Sequence, residues 1–245
     1  MIGIIGIIGY GVIGKTTHQV LFPTEDVKIH DVVLDTDIMD LLGSEMVFVC
    51  IPTNSSADFL EIKNIIELFT DKSPETEVVI RSTVIPGFFN ELGGNVTYLP
   101  EFLRERNAIN DARNCEVLFY STNLKESKLH NYNEFNFKLK RIKFSELEIL
   151  KLMANNYYAM KVVFANHYYD ICEKYDADYG VILDSFYKSK NGQSYMNVNE
   201  NLRGYGGKCL PKDIDFAIDI FDDCKLFQSI KEDNQKWKIT IREDV

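Results

Sequence analysis

The chain has 245 residues, of which 45% are hydrophobic, so it can bury the core of one large or two modest domains. Its formal net charge of −10 argues against a general nucleic-acid binder, because phosphate recognition needs clustered lysine and arginine. Five scattered cysteines, never spaced as CxxC, predict a reducing compartment and a cytoplasmic protein, with neither a disulfide framework nor a zinc site.

The first half of the chain alternates apolar strand patterns with helical patterns. The apolar run at 2–8 is typical of a buried parallel strand. It lacks the basic flank and cleavage site of a signal peptide, and no segment is long and apolar enough to span a membrane. Further strands are predicted at 27–31, 45–52, 76–83, 96–101 and 116–121, the last of these ending the sheet. Helices are predicted at 15–22 and 58–69, with at most a small one in the acidic connection after Asp31. This alternation predicts right-handed βαβ units and a doubly wound parallel sheet.

The pattern changes near residue 144. The sequence SELE at 145–148 predicts a capping box, in which Ser145 caps a helix and Glu148 reaches back. That helix should run to about Lys174, and its apolar sides need cover from a subunit partner or a helical cluster. A shorter helix is predicted over 178–187. We therefore expect an α/β domain at 1–143 and a mainly helical domain at 144–245.

The sequence GYGVIG places Gly9, Gly11 and Gly14 in the GxGxxG spacing directly after the first strand. The first glycine permits a tight turn, the second lets backbone approach a pyrophosphate, and the third lets helix and strand pack closely. Asp31 closes the next strand, where an acid accepts hydrogen bonds from a ribose diol and repels a 2′-phosphate. The motif therefore predicts a Rossmann domain that binds NAD rather than NADP, in preference to a glycine-rich turn without a ligand.

Two pairs of polar residues are spaced four apart. Glu101 and Glu105 would share a face if their segment is helical, and they follow a strand at the carboxyl edge of the sheet. A solvated acidic face is the alternative. Lys151 and Asn155 share a face of an unusually apolar helix, where a buried lysine needs a partner. On spacing alone, a helix end that snorkels to water is equally compatible.

The stretch GYGGKCLPKD at 204–213 places Cys209 after a glycine run and before a helix whose first turn contains Pro211. A thiol near a helix N-terminus and near Lys208 and Lys212 should be a nucleophile. The alternative is an inert buried cysteine, which the flanking glycines disfavour, since they suit close approach to a ligand.

With these residues in view, the chain resembles the UDP-glucose/GDP-mannose dehydrogenase family, especially the UDP-glucose 6-dehydrogenases. The resemblance rests on six ordered stretches, GYGVIG, VFVCIPTN, RSTVIPG, PEFLRERNAIND, ELEILKLMANN and GYGGKCLPKD, which together extend over nearly the whole chain. It implies a two-step oxidation of a sugar alcohol to a carboxylate with NAD. The intermediate aldehyde adds to a cysteine as a thiohemiacetal, which becomes a thioester that water hydrolyses.

The resemblance also implies roles for individual residues. Cys209 is the nucleophile, Lys151 and Asn155 hold the substrate oxygen and stabilise the oxyanion, and Asp213 orients the catalytic water or lysine. Glu101 is the base for thioester hydrolysis. Cofactor contacts are expected from the glycine-rich loop, from Asp31 and from four later residues: Gly9, Tyr10, Gly11, Val12, Ile13, Gly14, Asp31, Thr53, Thr83, Glu105 and Lys212. Thr83 is also expected in the catalytic set. Substrate contacts are expected from eight residues: Glu101, Phe102, Leu103, Lys151, Asn155, Tyr205, Gly206 and Lys190.

The resemblance further implies a homodimer formed through the helix that starts near Ser145, a UDP-sugar substrate, no metal, and no nucleic-acid or membrane partner. The family has a second Rossmann-like domain after its central helices, so a chain that ends at Val245 is expected to be a short form without that UDP-binding domain. The family places an arginine at the substrate, whereas the corresponding region of this chain has none, and Lys190 is its nearest replacement. Two alternatives stay open: a non-catalytic NAD-binding subunit of such a dehydrogenase, and a relative of the β-hydroxyacid dehydrogenases, which need no catalytic cysteine.

Overall fold

The computed structural model describes residues 3–132, 137–190, 199, 203–220 and 225–237. The chain forms two compact units, residues 1–151 and residues 152–245. The division falls inside one long helix, Phe144–Lys174. The predicted boundary at 143/144 lies at the start of that same helix.

The first unit is built on a seven-stranded sheet. Its strands are β1 (Ile5–Ile8), β2 (Val27–His30), β3 (Met46–Val49), β4 (Glu77–Ile80), β5 (Val96–Tyr98), β6 (Val117–Thr122) and β7 (Lys138–Arg141). They lie in the order β2-β1-β3-β4-β5-β6-β7. Neighbouring strands pair in parallel except β5 and β6, which pair antiparallel.

The helices of the described residues follow the expected alternation. They are α1 (Val12–Thr16, continued by a π-helix at Thr17–Leu21), α2 (Ser56–Lys72), α3 (Ala108–Arg113), α4 (Phe144–Lys174), α5 (Tyr179–Lys190), α6 (Leu210–Ile220) and α7 (Lys225–Asn234). The connection after Asp31 holds only a short 3₁₀ helix, Ile38–Leu41, as its acidic composition predicts. No helix within these ranges has the length and apolar character that a membrane span requires.

Successive strand residues bury opposite faces of the sheet, as the two-residue period of a strand requires. Val47 and Val49 pack on the side covered by α2, whereas Met46 and Phe48 pack on the side covered by Leu21 and Phe22 after α1. Both faces are therefore covered by apolar side chains. The doubly wound α/β fold predicted from the continuous apolar runs is confirmed, with one antiparallel pair added.

The prediction that the strand at 116–121 ends the sheet is wrong, because β7 pairs in parallel with β6 beyond it. The sequence of β7 is KLKR, and its lysines and arginine are exposed. Charged side chains are common on edge strands, where they discourage further pairing. That polar composition conceals the strand from a search for apolar runs.

The predicted capping box at 145–148 is also wrong. Helix α4 begins at Phe144, and the backbone N–H of Lys143 donates to Glu146 Oε2 at 3.0 Å. The carboxylate that reaches back is therefore Glu146. Glu148 is only 1% exposed and instead accepts hydrogen bonds from the N–H groups of Gly87, at 2.8 Å, and Phe89, at 3.4 Å. It thus ties the loop after β4 to α4.

The second unit contains most of α4 together with α5, α6 and α7. Helix α4 ends at Lys174 as predicted, and α5 covers the helix predicted at 178–187. A small apolar cluster joins α4, α6 and α7, with Val162 and Val163 of α4 packing against Ile214 of α6 and Ile230 of α7. This cluster sets the position of α6, whose N-terminus carries the cysteine stretch.

Candidate active site

The strand order reverses direction between β1 and β3, which in open α/β sheets is where ligands bind, at the carboxyl ends of the strands. Gly9 follows β1 with a φ of +86°, a conformation that favours glycine. A Cβ atom at Gly9 would lie 2.8 Å from the carbonyl oxygen of Cys50, which follows β3. The first glycine of the motif therefore permits both the turn and the close passage of two loops.

The other two motif glycines differ in their surroundings. A Cβ atom at Gly14 would lie 2.1 Å from the carbonyl oxygen of Gly9, so this position packs helix against loop. A Cβ atom at Gly11 would meet nothing within 4 Å, and Gly11 precedes the first turn of α1. The open space at Gly11 fits a phosphate group, which backbone N–H groups at a helix start bind well.

This contrast gives a paired prediction. Gly14→Ala should lower the free energy of unfolding by about 2 kcal/mol or more, because its methyl group overlaps backbone. Gly11→Ala should leave stability nearly unchanged and weaken dinucleotide binding, because its methyl group occupies the open space. Urea unfolding and calorimetric titration with NAD separate the two effects. Equal loss of stability in both variants would contradict the assignment.

Asp31 joins the glycine loop to the end of β2. Its two carboxylate oxygens accept the N–H groups of Tyr10, at 2.6 Å, and Val33, at 2.8 Å. The Val33 and Tyr10 N–H groups hold the pKa of Asp31 below its usual value, so the group is a carboxylate at neutral pH. Each oxygen keeps acceptor capacity for a further donor. Asp31 is thus placed beside the loop where a ribose diol was predicted.

Two other predicted cofactor residues lie together at the carboxyl ends of β3 and β4. The Thr53 hydroxyl donates to the carbonyl oxygen of Thr83 at 2.8 Å, and both side chains are buried. The Ser82 hydroxyl donates to the carbonyl oxygen of Ile51 at 2.6 Å, which adds a second tie between the same two loops. The structure therefore holds Thr53 and Thr83 in a fixed relation at this edge.

Glu101 and Lys151 form a buried ion pair within the first unit. The Lys151 ammonium lies 3.1 Å from Glu101 Oε1; Lys151 is 2% exposed and Glu101 is 8% exposed. Glu101 Oε2 accepts the Leu103 N–H at 2.7 Å, and the ammonium lies over the Phe102 ring, 5.4 Å from its centroid. Burial alone would raise the pKa of Glu101, but the Lys151 charge and the Leu103 N–H outweigh it and lower the pKa. The carboxylate is therefore ionised at neutral pH. The snorkelling alternative for Lys151 is wrong.

Glu101 and Glu105 do not share a helical face, so that conditional expectation is wrong. Residues 101–104 have no regular secondary structure, and Glu105 is an exposed residue that begins a 3₁₀ helix. Arg104 holds this segment through two hydrogen bonds to the Asp111 carboxylate, at 2.9 and 2.7 Å. The cofactor contact of Glu105 stays a prediction.

Sequence reasoning missed Arg81, which directly follows β4 and is 5% exposed. Its guanidinium interacts electrostatically with Cys50 and Glu101, and its Nε and Nη1 atoms have no hydrogen-bond partner among the described residues. The sequence did contain a signal for Arg81 as a candidate site residue, since it is an arginine directly after an apolar strand, at the sheet edge where ligands bind. Desolvation raises the pKa of the Cys50 thiol to about 11, so Cys50 is protonated at neutral pH.

In the second unit, Cys209 lies at the N-terminal end of α6. Its carbonyl oxygen accepts the Asp213 N–H at 2.9 Å, which closes the first helical turn, and its side chain is exposed. Helix α6 begins at Leu210, so Pro211 lies in the first turn as predicted. The predicted alternative of an inert buried cysteine is therefore wrong. An exposed thiol beside the positive end of a helix has the surroundings that favour a thiolate.

Within the second unit, two of the polar residues predicted to act with Cys209 are bonded to each other. Asp213 is fully buried, and the Asn155 side-chain amide donates a hydrogen bond to its Oδ2 atom. The Lys212 ammonium lies 3.3 Å from Asp213 Oδ1. Asn155 belongs to α4, whereas Lys212 and Asp213 belong to the first turn of α6. The hydrogen bond therefore fixes the start of α6 relative to the second-unit part of α4, whereas the ion pair lies within the first turn of α6.

The remaining predicted substrate residues fall into different surroundings. The Tyr205 ring is 2% exposed and packs in the apolar cluster of the second unit, whereas Gly206 is half-buried in the loop before Cys209. Lys190 is the last residue of α5, and its side chain lies outside the described part of the chain, as do residues 191–196. Their substrate contacts stay predictions. Among the described residues, no group of His, Cys, Asp and Glu side chains could hold a metal ion.

Structural comparison shows how widely this architecture is used. A UDP-glucose dehydrogenase from Pyrobaculum islandicum superposes with a TM-score of 0.75 at 18% identity, covering 96% of this chain and 68% of that chain. A 3-hydroxyisobutyrate dehydrogenase from Mycobacterium tuberculosis superposes with a TM-score of 0.67 at 14% identity, covering 96% and 94% of the two chains. At these identities the likeness concerns the fold.

Sequence comparison is more specific. A UDP-glucose 6-dehydrogenase from Rickettsia conorii is 28% identical over 225 residues, which cover 80% of this chain and 50% of that protein. The chain therefore spans about half the length of this relative. Residues 145–236, which contain the Lys151, Asn155, Cys209 and Asp213 positions, match the model of the central domain of one family. That family is the UDP-glucose/GDP-mannose dehydrogenase family, and the match concerns its central domain.

Proposed function

We propose that the chain catalyses the NAD-dependent oxidation of a nucleotide sugar, UDP-glucose to UDP-glucuronate, through a covalent intermediate on Cys209. The observation that carries this proposal is the exposed Cys209 thiol at the start of α6, directly before a turn whose Asp213 is buried and bonded to Asn155. The match of residues 145–236 to the central domain of the dehydrogenase family supports the reaction class, and the name of the Rickettsia relative supports the choice of sugar.

The first unit fits a nicotinamide dinucleotide. The open space at Gly11 suits a pyrophosphate, and the ionised Asp31 suits a ribose diol and disfavours a 2′-phosphate. We assign Thr53 and Thr83 to the nicotinamide end, since they lie at the carboxyl ends of β3 and β4. When bound, the dinucleotide supplies the hydride acceptor for both oxidations.

Cys209 acts on the aldehyde that the first oxidation produces. Its sulfur forms a bond to the aldehyde carbon, and the carbonyl oxygen becomes an alkoxide that takes up a proton. After the second oxidation the carbon is a thioester. Water adds to this carbon, the carbon–sulfur bond breaks, and the thiolate leaves as the carboxylate forms. The position of Cys209 at the positive end of α6 favours the thiolate in both the attacking and leaving roles.

The buried polar residues supply charge and proton transfer in this proposal. Glu101 is ionised and accepts a proton from the attacking water. The Lys151 ammonium and the Asn155 amide stabilise negative charge on the substrate oxygen. Asp213 holds Asn155 through its Oδ2 atom, so that amide keeps one orientation.

The test is NADH formation, followed by absorbance, when the purified chain is given NAD and one of a panel of UDP- and GDP-sugars. We expect turnover with UDP-glucose. A second candidate is a β-hydroxyacid dehydrogenase, because the chain shares its fold with a 3-hydroxyisobutyrate dehydrogenase. Turnover with a β-hydroxyacid and none with any nucleotide sugar would favour that candidate. NAD binding without turnover, together with activation of a full-length dehydrogenase, would favour a non-catalytic subunit.

We also propose that the chain forms a homodimer through α4. In the second unit one side of this helix exposes large apolar residues at intervals of four and seven: Met153, Tyr157, Phe164 and Tyr168, each between 45% and 60% exposed. Such a stripe is unusual on a helix that faces water. A second copy of the same helix would cover it with matching apolar side chains.

The dimer proposal predicts the effect of one charge. Phe164→Glu should convert the dimer to a monomer in analytical ultracentrifugation, because it places a carboxylate inside an apolar interface. The matched control is Glu173→Gln, a change at an exposed residue of the same helix. A wild-type chain that sediments as a monomer at all concentrations, or a dimer that survives the Phe164 change, would contradict the proposal.

A further inference from the structure

The loop that leads to Cys209 is fixed at one end and open at the other. Residues 203–205 make buried hydrogen bonds to α4 and α7, whereas Gly207, Lys208 and Cys209 are exposed. Within the part of the chain that the structure describes, a Cβ atom at Gly207 would meet nothing within 4 Å. The position of Cys209 therefore depends on the start of α6 and on the fixed end of its loop.

Asn234, in the last turn of α7, holds that fixed end. Its Oδ1 atom accepts the Tyr205 N–H at 2.6 Å, and its side-chain N–H donates to the Tyr205 carbonyl oxygen at 2.9 Å. Asn234 is 7% exposed and Tyr205 is 2% exposed, so both bonds are shielded from water. One amide thus satisfies both backbone polar groups of a buried residue, which would otherwise cost free energy.

The neighbouring residues restrict this contact further. Gly204 has a φ of +66°, and a Cβ atom there would lie 3.0 Å from Asn234 Oδ1. Asn166 of α4, which is fully buried, accepts Arg203 Nε at 2.6 Å and the Gly204 N–H at 3.3 Å. Two asparagines from two helices therefore clamp three consecutive residues ahead of the cysteine.

We propose that Asn234 is a positioning residue for Cys209, which it holds at the N-terminus of α6 by clamping the backbone of Tyr205. The proposal rests on the proposed function, in which Cys209 is the nucleophile. Asn234 acts through the loop and is given no contact with substrate. Without its amide the Tyr205 backbone groups lose their partners, and the loop can move until water reaches them. Cys209 then loses its regular place beside the positive end of α6.

The test uses the full chain and two independent readouts. Asn234→Ala should lower kcat with UDP-glucose by roughly 10- to 100-fold, because small misplacements of a reacting group have effects of this size. KM for NAD should be unchanged, since the glycine loop belongs to the first unit and Lys212, the predicted dinucleotide contact in α6, lies in a turn that the Asn155–Asp213 hydrogen bond holds. The rate of Cys209 alkylation by iodoacetamide, measured by peptide mass spectrometry, should fall roughly three- to tenfold, which is the thiolate stabilisation a helix N-terminus provides. Accessibility does not limit this rate, because the wild-type thiol is already exposed.

Matched variants separate positioning from folding. Gln228→Ala removes an exposed amide from the same helix and should change neither readout. Asn234→Asp keeps the acceptor for the Tyr205 N–H and should lie between wild type and Asn234→Ala. If Asn234→Ala does not fold, Asn234→Asp decides the matter, and wild-type values in both readouts would overturn the proposal.

The alkylation readout also separates this proposal from the proposed function. If the wild-type chain oxidises no nucleotide sugar, kcat cannot be measured, but the alkylation rate still reports whether Asn234 determines the position of Cys209. An alkylation rate in Asn234→Ala within twofold of wild type would overturn the positioning role, even if activity fell.

Discussion

Cys209→Ser should abolish the conversion of UDP-glucose to the acid while leaving the fold and NAD binding intact. The rate of acid formation should fall by at least about 10³-fold, because removal of a covalent nucleophile leaves only binding and charge stabilisation. The side chain is exposed, and the backbone carbonyl that closes the first turn of α6 is unchanged by the substitution, so the change costs little stability. Acid formation is measured by chromatography of the nucleotide products, and NAD binding by calorimetric titration.

The control for this variant is Cys115→Ser. The Cys115 thiol is half-buried in the first unit and donates to the carbonyl oxygen of Val117 at 3.2 Å, a contact that a serine hydroxyl can also make. We expect wild-type activity in this variant. Full acid formation by Cys209→Ser would exclude a thioester and with it the proposed reaction sequence.

Lys151→Met should be the most destabilising of the changes considered. It removes the cation that pairs with the buried Glu101 carboxylate, and breaking a buried pair from one side costs about 3–5 kcal/mol. Activity should also be lost, since the ammonium is assigned to the substrate oxygen. Urea unfolding as a function of pH measures the effect on stability.

The pH dependence of Lys151→Met should have the opposite sign to that of wild type. In wild type the folded-state pKa of Glu101 is lowered, so the stability from this group is present above its unfolded pKa and is lost as pH falls through the folded value. Without Lys151, desolvation dominates and raises the Glu101 pKa. The variant should then gain stability as the pH falls and Glu101 takes up a proton.

The double variant Lys151→Met/Glu101→Gln tests the cause of that reversal. It removes the uncompensated charge, so it should recover part of the lost stability at neutral pH and lose the reversed pH dependence. A Lys151→Met variant with the stability and pH dependence of wild type would contradict the buried ion pair.

Local patterns predicted much of this structure. Apolar runs located the strands of the sheet core, and the spacing of the three motif glycines predicted a tight turn at Gly9 and close packing at Gly14. The composition of the cysteine stretch predicted a helix with Pro211 in its first turn. Each of these signals depends on residues close together in the sequence, where backbone geometry alone decides the outcome.

Contacts between distant residues were not predictable in the same way. Glu148 bonds to Gly87 across 61 positions, and Asn234 bonds to Tyr205 across 29. The sequence around a polar residue on a helix does not indicate which distant loop that residue will bond to. Strand β7 was missed because edge strands carry charged side chains. The capping box was predicted with the wrong residues because a second glutamate, Glu146, lies near the same helix start and makes the contact instead.

The stoichiometry of the reaction tests the central claim most directly. With a limiting amount of UDP-glucose and excess NAD, the proposal predicts that two molecules of NADH form for each nucleotide sugar consumed and that the product is the acid. No free aldehyde should accumulate, because Cys209 captures it. One NADH for each sugar, with a released aldehyde or ketone as the product, would contradict the account.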